Sequence, residues 1–373
     1  MIYFDNAATT KDKPDEVIDA FTYYLKSIGV SPGRGSYSLG IEASRMLYKS
    51  RVTIGKYFNL TSPEKVIFTK NSTEAINLLF RGILKKGDHV IISCYEHNAV
   101  LRPLHNLKQE GVIDYSVINR TDLELSAKDL YAKYANKNTR IIALTLASNL
   151  TGRVIYNSEW MRYFHDKNIV TFVDSSQGAG KISLNMKDEC IDFIAFTGHK
   201  DLYGVPGVGG LCCESSKKIK PLIQGGTGIH GENYTNPDIF PEGYEAGTLN
   251  MPAIWALKSG IDYISLNAEM IQTKESQLTD YLLEKLSGIN GVTIYDSNVK
   301  RVSTCCFTLD DLSSDRVIAL LDSKGICARG GIHCAILAHE SIGTVETGAV
   351  RISLNYRNTK NEIDKFIEVI QSR

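Results

Sequence analysis

The sequence predicts an α/β fold: a large domain with a mostly parallel, mixed sheet flanked by helices, plus a smaller C-terminal α/β domain. Three observations carry this. Short β-branched apolar runs recur through the first 213 residues and alternate with helical or loop-rich stretches. The runs are apolar at successive positions, as in strands covered on both faces. The residues just past each run are polar, at the carboxyl edge where such sheets form their ligand crevice.

The runs fall at residues 65–69, 89–94, 140–147, 170–175, 193–197 and 208–213. Past them stand Lys70-Asn71-Ser72-Thr73-Glu74, Tyr95-Glu96-His97, Ser148-Asn149, Asp174-Ser175-Ser176-Gln177 and Gly198-His199-Lys200, which are expected to converge on one site. From Met251 the pattern becomes a long helix through Leu286, then strands at 292–295 and 303–309 and a closing helix over 363–372. The expected division is a large domain over 14–255 and a small one over 256–373, with the N-terminal segment 1–13 joining the small domain.

At 373 residues and 43% hydrophobic content the chain can bury one large core and a smaller one. Its 42 basic residues balance 42 acidic ones with no basic run, which argues against nucleic-acid or membrane partners and for a small-molecule substrate. No stretch reads as a signal or membrane span, so a cytoplasmic protein is expected. The eight cysteines include no C-x-x-C pair and read as reduced thiols; no metal site is expected. Cys212-Cys213 and Cys305-Cys306 lie in apolar runs, where neighbouring side chains point to opposite faces, and read as packing.

Each candidate residue has a plain reading beside a chemical one. Asn71-Ser72-Thr73-Glu74 has capping-box spacing, and a helix start also attracts anions. Asp174 ends a buried strand, where an ionised carboxylate needs a cation nearby or must cap a turn. Lys200, beyond another buried strand, is a solvated loop residue or an amine whose pKa desolvation lowers, and only the neutral amine condenses with an aldehyde. A protonated pyridine nitrogen would answer Asp174, as in pyridoxal-phosphate sites. His97 is a core histidine or a ring that stacks on an aromatic cofactor. Gly226-Thr227-Gly228-Ile229-His230-Gly231 has dinucleotide-loop spacing, but Glu232 to Pro237 does not continue as a helix, so that reading is set aside.

Taken in order, Tyr3 to Thr10, Asn71 to Asn77, Glu96-His97, Ser148-Asn149, Asp174 to Gln177, Gly198-His199-Lys200, Glu245-Ala246-Gly247-Thr248, Arg329 to Ala335 and Arg351-Ile352-Ser353 resemble the class V aminotransferases of fold type I, and within them the cysteine desulfurase and selenocysteine lyase family. The resemblance runs almost end to end and implies a fold type I pyridoxal 5'-phosphate (PLP)-dependent transferase. It implies that Lys200 holds the cofactor aldehyde, Asp174 its ring nitrogen and Gln177 its phenolic oxygen, with His97 stacked on the ring. The phosphate would lie among Ser72, Thr73, Thr197 and His199, and Thr248 would reach the partner subunit's phosphate in a homodimer with its site at the subunit interface. Asn149 and Arg351 would receive the substrate, with Arg329, Asn6 and Ala7 beside them.

Cys334 distinguishes desulfurases from plain aminotransferases in this resemblance. It lies among Gly330, Gly331 and Ala335, which suggests a mobile loop, and Arg329 or His333 would favour its thiolate. Read alone, one cysteine among eight is structural. The implied reaction converts L-cysteine to L-alanine, leaves a persulfide on Cys334 and passes sulfur to a protein acceptor. Other members of the short-loop group carry Thr-Gly-His-His before the cysteine, whereas Gly330-Gly331-Ile332-His333 has one hydroxyl and one imidazole fewer. The alternatives are a selenocysteine lyase, a β-elimination or transamination that leaves Cys334 idle, and a non-catalytic binding protein.

Overall fold

A computed structural model describes residues 1–33, 35–310 and 312–372. Elements are numbered in chain order. The short strand β1 (Ile2–Tyr3) pairs in parallel with β11 (Ile326–Cys327), which ties the N-terminal segment to the C-terminal part of the chain. Helices α1 (Asp15–Tyr23) and α2 (Ser38–Tyr57) then lead into a seven-stranded sheet.

That sheet contains β2 (Val66–Thr69), β3 (Asp88–Ser93), β4 (Ile113–Ile118), β5 (Thr139–Thr145), β6 (Val170–Asp174), β7 (Phe193–Thr197) and β8 (Gly209–Cys213) in the order β2-β8-β7-β6-β5-β3-β4. Only β8 runs against the others, since it is antiparallel to both β2 and β7. The mixed, mostly parallel sheet is therefore as expected, with strand ends within one or two residues except for β4. This edge strand, Ile113-Asp114-Tyr115-Ser116-Val117-Ile118, is buried only at its two ends and mixes polar with apolar residues, so it carries neither signature of a covered strand.

The sheet's alternation builds two cores. Ile142, Leu144, Val173, Ile194 and Phe196 face one layer, with α2, α6 (Ser158–Asp166) and the start of α7 (Met251–Ser287). Ile141, Ala143, Phe172, Phe193 and Ala195 face the other, with α3 (Ser72–Ile83) and α4 (Asn98–Gln109). Helix α5 (Ala127–Tyr134) packs beside α6. Burial of this kind contributes about 25 cal/mol per Å² of apolar surface, so two continuous layers hold the strand edge above them rigidly.

The 37-residue helix α7 spans about 55 Å and joins both parts of the protein. Its residues through Ile271 lie in the large core, whereas Leu278, Leu282 and Leu286 lie in a separate C-terminal core with Phe4, Phe307 and Phe366. We propose that the division between the two domains falls inside this helix, after Ile271, so that the expected boundary at 255/256 sits in its first turns. The C-terminal unit continues with β9 (Val292–Ile294), β10 (Thr304–Leu309), α8 (Ser314–Ser323), β12 (Arg329–Gly331), α9 (Ile336–Ile342), β13 (Ala349–Ser353) and α10 (Lys360–Gln371), and four of its strands form an antiparallel sheet in the order β12-β13-β10-β9. The units meet closely at Gly152 (φ +77°), where an added Cβ would lie 2.1 Å from Thr304 O.

Candidate active site

The carboxyl ends of the parallel strands surround a cavity of about 250 Å³. Asn71, Ser72 and Thr73 come from the start of α3, His97 from the start of α4, and Thr145 and Asn149 from the end of β5 and beyond. Asp174 ends β6 and Ser176 and Gln177 follow it, and Thr197 ends β7 and His199 and Lys200 follow it. The convergence anticipated from the polar segments is observed. At the α3 start the Asn71 side chain accepts from Glu74 N at 3.0 Å, which leaves other N–H groups of the first turn facing the cavity beside the Thr197 hydroxyl, a buried group without a partner among the described residues.

Burial governs the electrostatics. Desolvation lowers the pKa of Lys200 to about 8; Asp174 and Asp201 oppose the shift, while Arg351 and Arg329 add to it. Asp174 is 2% exposed, and burial raises its carboxyl above the usual range although Ser176 N donates to its Oδ1 at 3.0 Å. His97 is driven down to about 4, by burial first and by Lys200 and Arg329 next. Its ring is therefore neutral, and Ala99 N donates to its Nδ1 at 3.0 Å, which assigns the proton to Nε2.

A second wall comes from the C-terminal unit. Arg329 and Arg351 face each other across β12 and β13. Arg351 is 1% exposed; its Nη1 donates to Asn149 O at 2.9 Å, its Nη2 pairs with Asp5, and its Nε is buried without a partner among the described residues. Asn149 donates through Nδ2 to His333 O at 2.7 Å and leaves Oδ1 buried without a partner among the described residues. The N-terminal segment closes this side: Asn6 Nδ2 donates to Ser353 O at 3.0 Å, Ala7 N to Ser353 Oγ at 2.8 Å, and Gln177 Nε2 to Ala7 O at 2.7 Å.

Cys334 is exposed and stands on the turn between β12 and α9, one residue from the His333 carbonyl that Asn149 holds. Two expectations about this turn need correction. It is anchored rather than loose, because Asn98 N donates to Cys334 O at 2.8 Å and Ala335 N to Ile332 O at 3.0 Å. His333 and Cys334 both adopt left-handed backbone (φ +54° and +56°), which only such anchoring sustains in residues with a Cβ. Nor does His333 bring positive charge to the thiol, since burial and Arg351 push its pKa down to about 3 and its ring stacks on His339 at 5.8 Å.

Thr248 is not in the cavity. It is exposed on a neighbouring groove of about 840 Å³ that shares Asn71 and His199 with it. The G-x-G-x-x-G segment at 226–231 is followed by turns and no helix, as its downstream residues foretold. Three contributors went unassigned in the sequence: Thr145, Ser176 and the buried Glu96, which accepts from Ser93 Oγ and Thr145 N and whose carboxyl burial lifts to about 8.

The family model described as "Aminotransferase class-V" matches residues 2–366. A probable cysteine desulfurase of Methanothermobacter thermautotrophicus is 33% identical over 379 aligned residues, covering 99% of this chain and 94% of that protein. A cysteine desulfurase of Yersinia pestis is 31% identical, covering 100% and 93%. Among solved structures, the apo cysteine desulfurase of Thermococcus onnurineus NA1 superposes with a TM-score of 0.91 at 29% identity, covering 100% of this chain and 94% of that one. A cysteine desulfurase of Escherichia coli superposes with a TM-score of 0.87 at 26% identity, covering 99% and 94%.

Proposed function

The chain belongs to the aminotransferase class-V family, and from that premise we propose that it is a PLP-dependent cysteine desulfurase converting L-cysteine to L-alanine through a persulfide on Cys334. The observation that carries this is the meeting of Lys200 and the buried Asp174 in one cavity, with an exposed cysteine on the wall that Asn149 and Arg351 tie to it.

The residues fit the cofactor. A buried carboxylate at Asp174 lacks a cation commensurate with its burial, which a protonated ring nitrogen supplies, and the α3 start with Ser72, Thr73 and the unpartnered Thr197 hydroxyl suits a phosphate. Lys200 would hold the aldehyde, with His97 as the ring above it and Gln177 near the phenolic oxygen. Bound there, the cofactor supplies an electron-withdrawing ring conjugated to the substrate's Cα.

The protein's own groups do the rest. Arg351 would receive the α-carboxylate through Nε, which has no partner among the described residues, whereas Nη1 is occupied by Asn149 O and Nη2 by Asp5. Lys200, with its pKa near 8, is neutral in a substantial fraction at physiological pH and takes the Cα proton. Cys334 Sγ attacks the substrate sulfur: an S–S bond forms, the Cβ–S bond breaks, and its electron pair stays with carbon, which takes up a proton to become the methyl group of alanine, while Lys200 returns the proton to Cα. The enzyme persulfide then transfers its outer sulfur to an acceptor thiol. With His97 and His333 neutral, the positive charge on this wall comes from Arg329 and Arg351. A second copy of the chain, covering the groove that bears Thr248, would complete the site as a homodimer. Among the described residues no helix is long and apolar enough to cross a membrane.

The test is turnover of L-cysteine with a reductant by cofactor-loaded Cys334→Ser. Alanine and sulfide formation fall by at least about 10³-fold while cofactor absorbance stays as in the wild type. Wild-type rates in the variant would remove the persulfide step.

A further inference from the structure

Next in the chain to Lys200, Asp201 belongs to a buried charge cluster that the reaction above does not use. Lys181 Nζ is 3.1 Å from Asp201 Oδ1 and 3.1 Å from Glu275 Oε2, and it also donates to Ser303 Oγ. The side chains of these three charged residues are 12%, 7% and 5% exposed. Burial works against the lysine's charge, but the two carboxylates outweigh it and raise its pKa, so the cluster holds one ammonium between two carboxylates.

What the cluster joins gives it a role. Asp201 directly follows Lys200, and its Oδ2 accepts from Gly178 N at 3.1 Å, next to Gln177. Gly180, at φ +100°, lies so close that an added Cβ would sit 2.2 Å from Asp201 O. On the other side of Lys200, the His199 carbonyl accepts from Lys13 Nζ at 2.7 Å and from Thr9 Oγ1 and Thr10 N at 3.2 Å each. Lys200 is thus pinned through both neighbours. At its far end the cluster reaches the C-terminal unit: Ser303 Oγ donates to Leu354 O at 2.9 Å, and Glu275 Oε1 accepts from Tyr356 N at 3.2 Å. Leu354 and Tyr356 directly continue β13, the strand that carries Arg351.

We propose that Lys181 is a positioning residue that sets the separation of Lys200 and Arg351, by clamping the segment after the lysine to the strand bearing the arginine across the two domains. This rests on the reading of Lys200 and Arg351 as the groups that meet the two ends of an amino acid. An amino acid presents its amine and carboxylate at a fixed spacing, so a displacement of either protein group costs productive binding rather than only stability.

Two variants test it. Lys181→Met removes the ammonium and leaves Asp201 without its ion-pair partner beside Lys200, with Lys13 the remaining cation near it. The charges around Lys200 are otherwise Asp174, Arg351 and Arg329, with neutral His97 and His199. In the full-length chain without cofactor, the pH midpoint for labelling of the Lys200 amine by acetic anhydride, read on its peptide by mass spectrometry, rises by about one unit. In the loaded enzyme KM for L-cysteine rises about tenfold or more. Lys181→Arg keeps the charge but its longer side chain spreads the three oxygens, so KM rises while the midpoint stays within about 0.3 units of wild type. Wild-type KM in Lys181→Arg, or a wild-type midpoint in Lys181→Met, overturns the proposal even where thermal stability falls. Should Lys181→Met not fold, KM of Lys181→Arg alone decides. Failure of borohydride to fix a cofactor on wild-type Lys200 would instead defeat the functional reading, and the labelling shift, measured without cofactor, would still report on the clamp.

Discussion

Lys200 and Cys334 are the two nucleophiles of the proposed reaction, and their surroundings are opposite. Lys200 sits at the end of a buried strand, caged by Asp174, His97 and the pinned segments on either side, and its chemistry is set by desolvation. Cys334 is exposed on a left-handed turn held by one backbone bond to α4 and one within the turn. The contrast teaches a division of labour. Proton chemistry at carbon needs water excluded and charge fixed in advance, whereas sulfur handed to another molecule must be reachable.

The largest effect that would sharpen this contrast is expected at Asp174. Asp174→Asn removes a buried carboxylate that the protein alone pays to desolvate, so the cofactor-free variant unfolds at the same or a higher temperature than wild type. Its alanine formation nonetheless drops by about 10²- to 10³-fold, because the ring charge is no longer held. Unchanged turnover would dissolve the idea that the cage is built around a cation.

A smaller effect separates the cage from its support. Glu96 directly precedes His97 and has a folded-state pKa near 8 against an ordinary 4.5, so the folded protein holds a proton there that the unfolded chain releases. The associated stability is full below pH 4.5 and is lost as pH rises through 8. Glu96→Gln mimics the protonated form, so its melting temperature gains on that of wild type between pH 6 and pH 8.5. A constant gap across that range would mean that Glu96 does not titrate there.

The two regions also differ in how legible they were. The cage could be read because each of its strands is apolar on both faces and ends in polar residues, which places Asp174, Lys200 and His97 on one edge without knowledge of contacts. Thr145 was missed because the run 140–147 reads as one continuous strand, whereas β5 ends at Thr145 and turns it into the cavity. β12, an Arg-Gly-Gly segment, has no strand signature and pairs only because β13 lies beside it. The anchored turn at Cys334 was hidden for a related reason: glycine and alanine neighbours signal freedom locally, while the bond that ties the turn to the large domain comes from Asn98 of α4, more than 200 residues away. The neutrality of His333 depends on its burial against His339 and Arg351, which no spacing encodes. Lys181, Asp201 and Glu275 belong to one cluster yet form no motif in the chain.

The most direct test of the account is to reduce the cofactor-loaded protein with borohydride and map the modified lysine by peptide mass spectrometry. The account predicts the pyridoxyl group on Lys200. Lys13 is the sharpest control, because burial also lowers its pKa to about 8 although its amine is committed to the His199 carbonyl. Modification at Lys13, or at no lysine, would contradict the account.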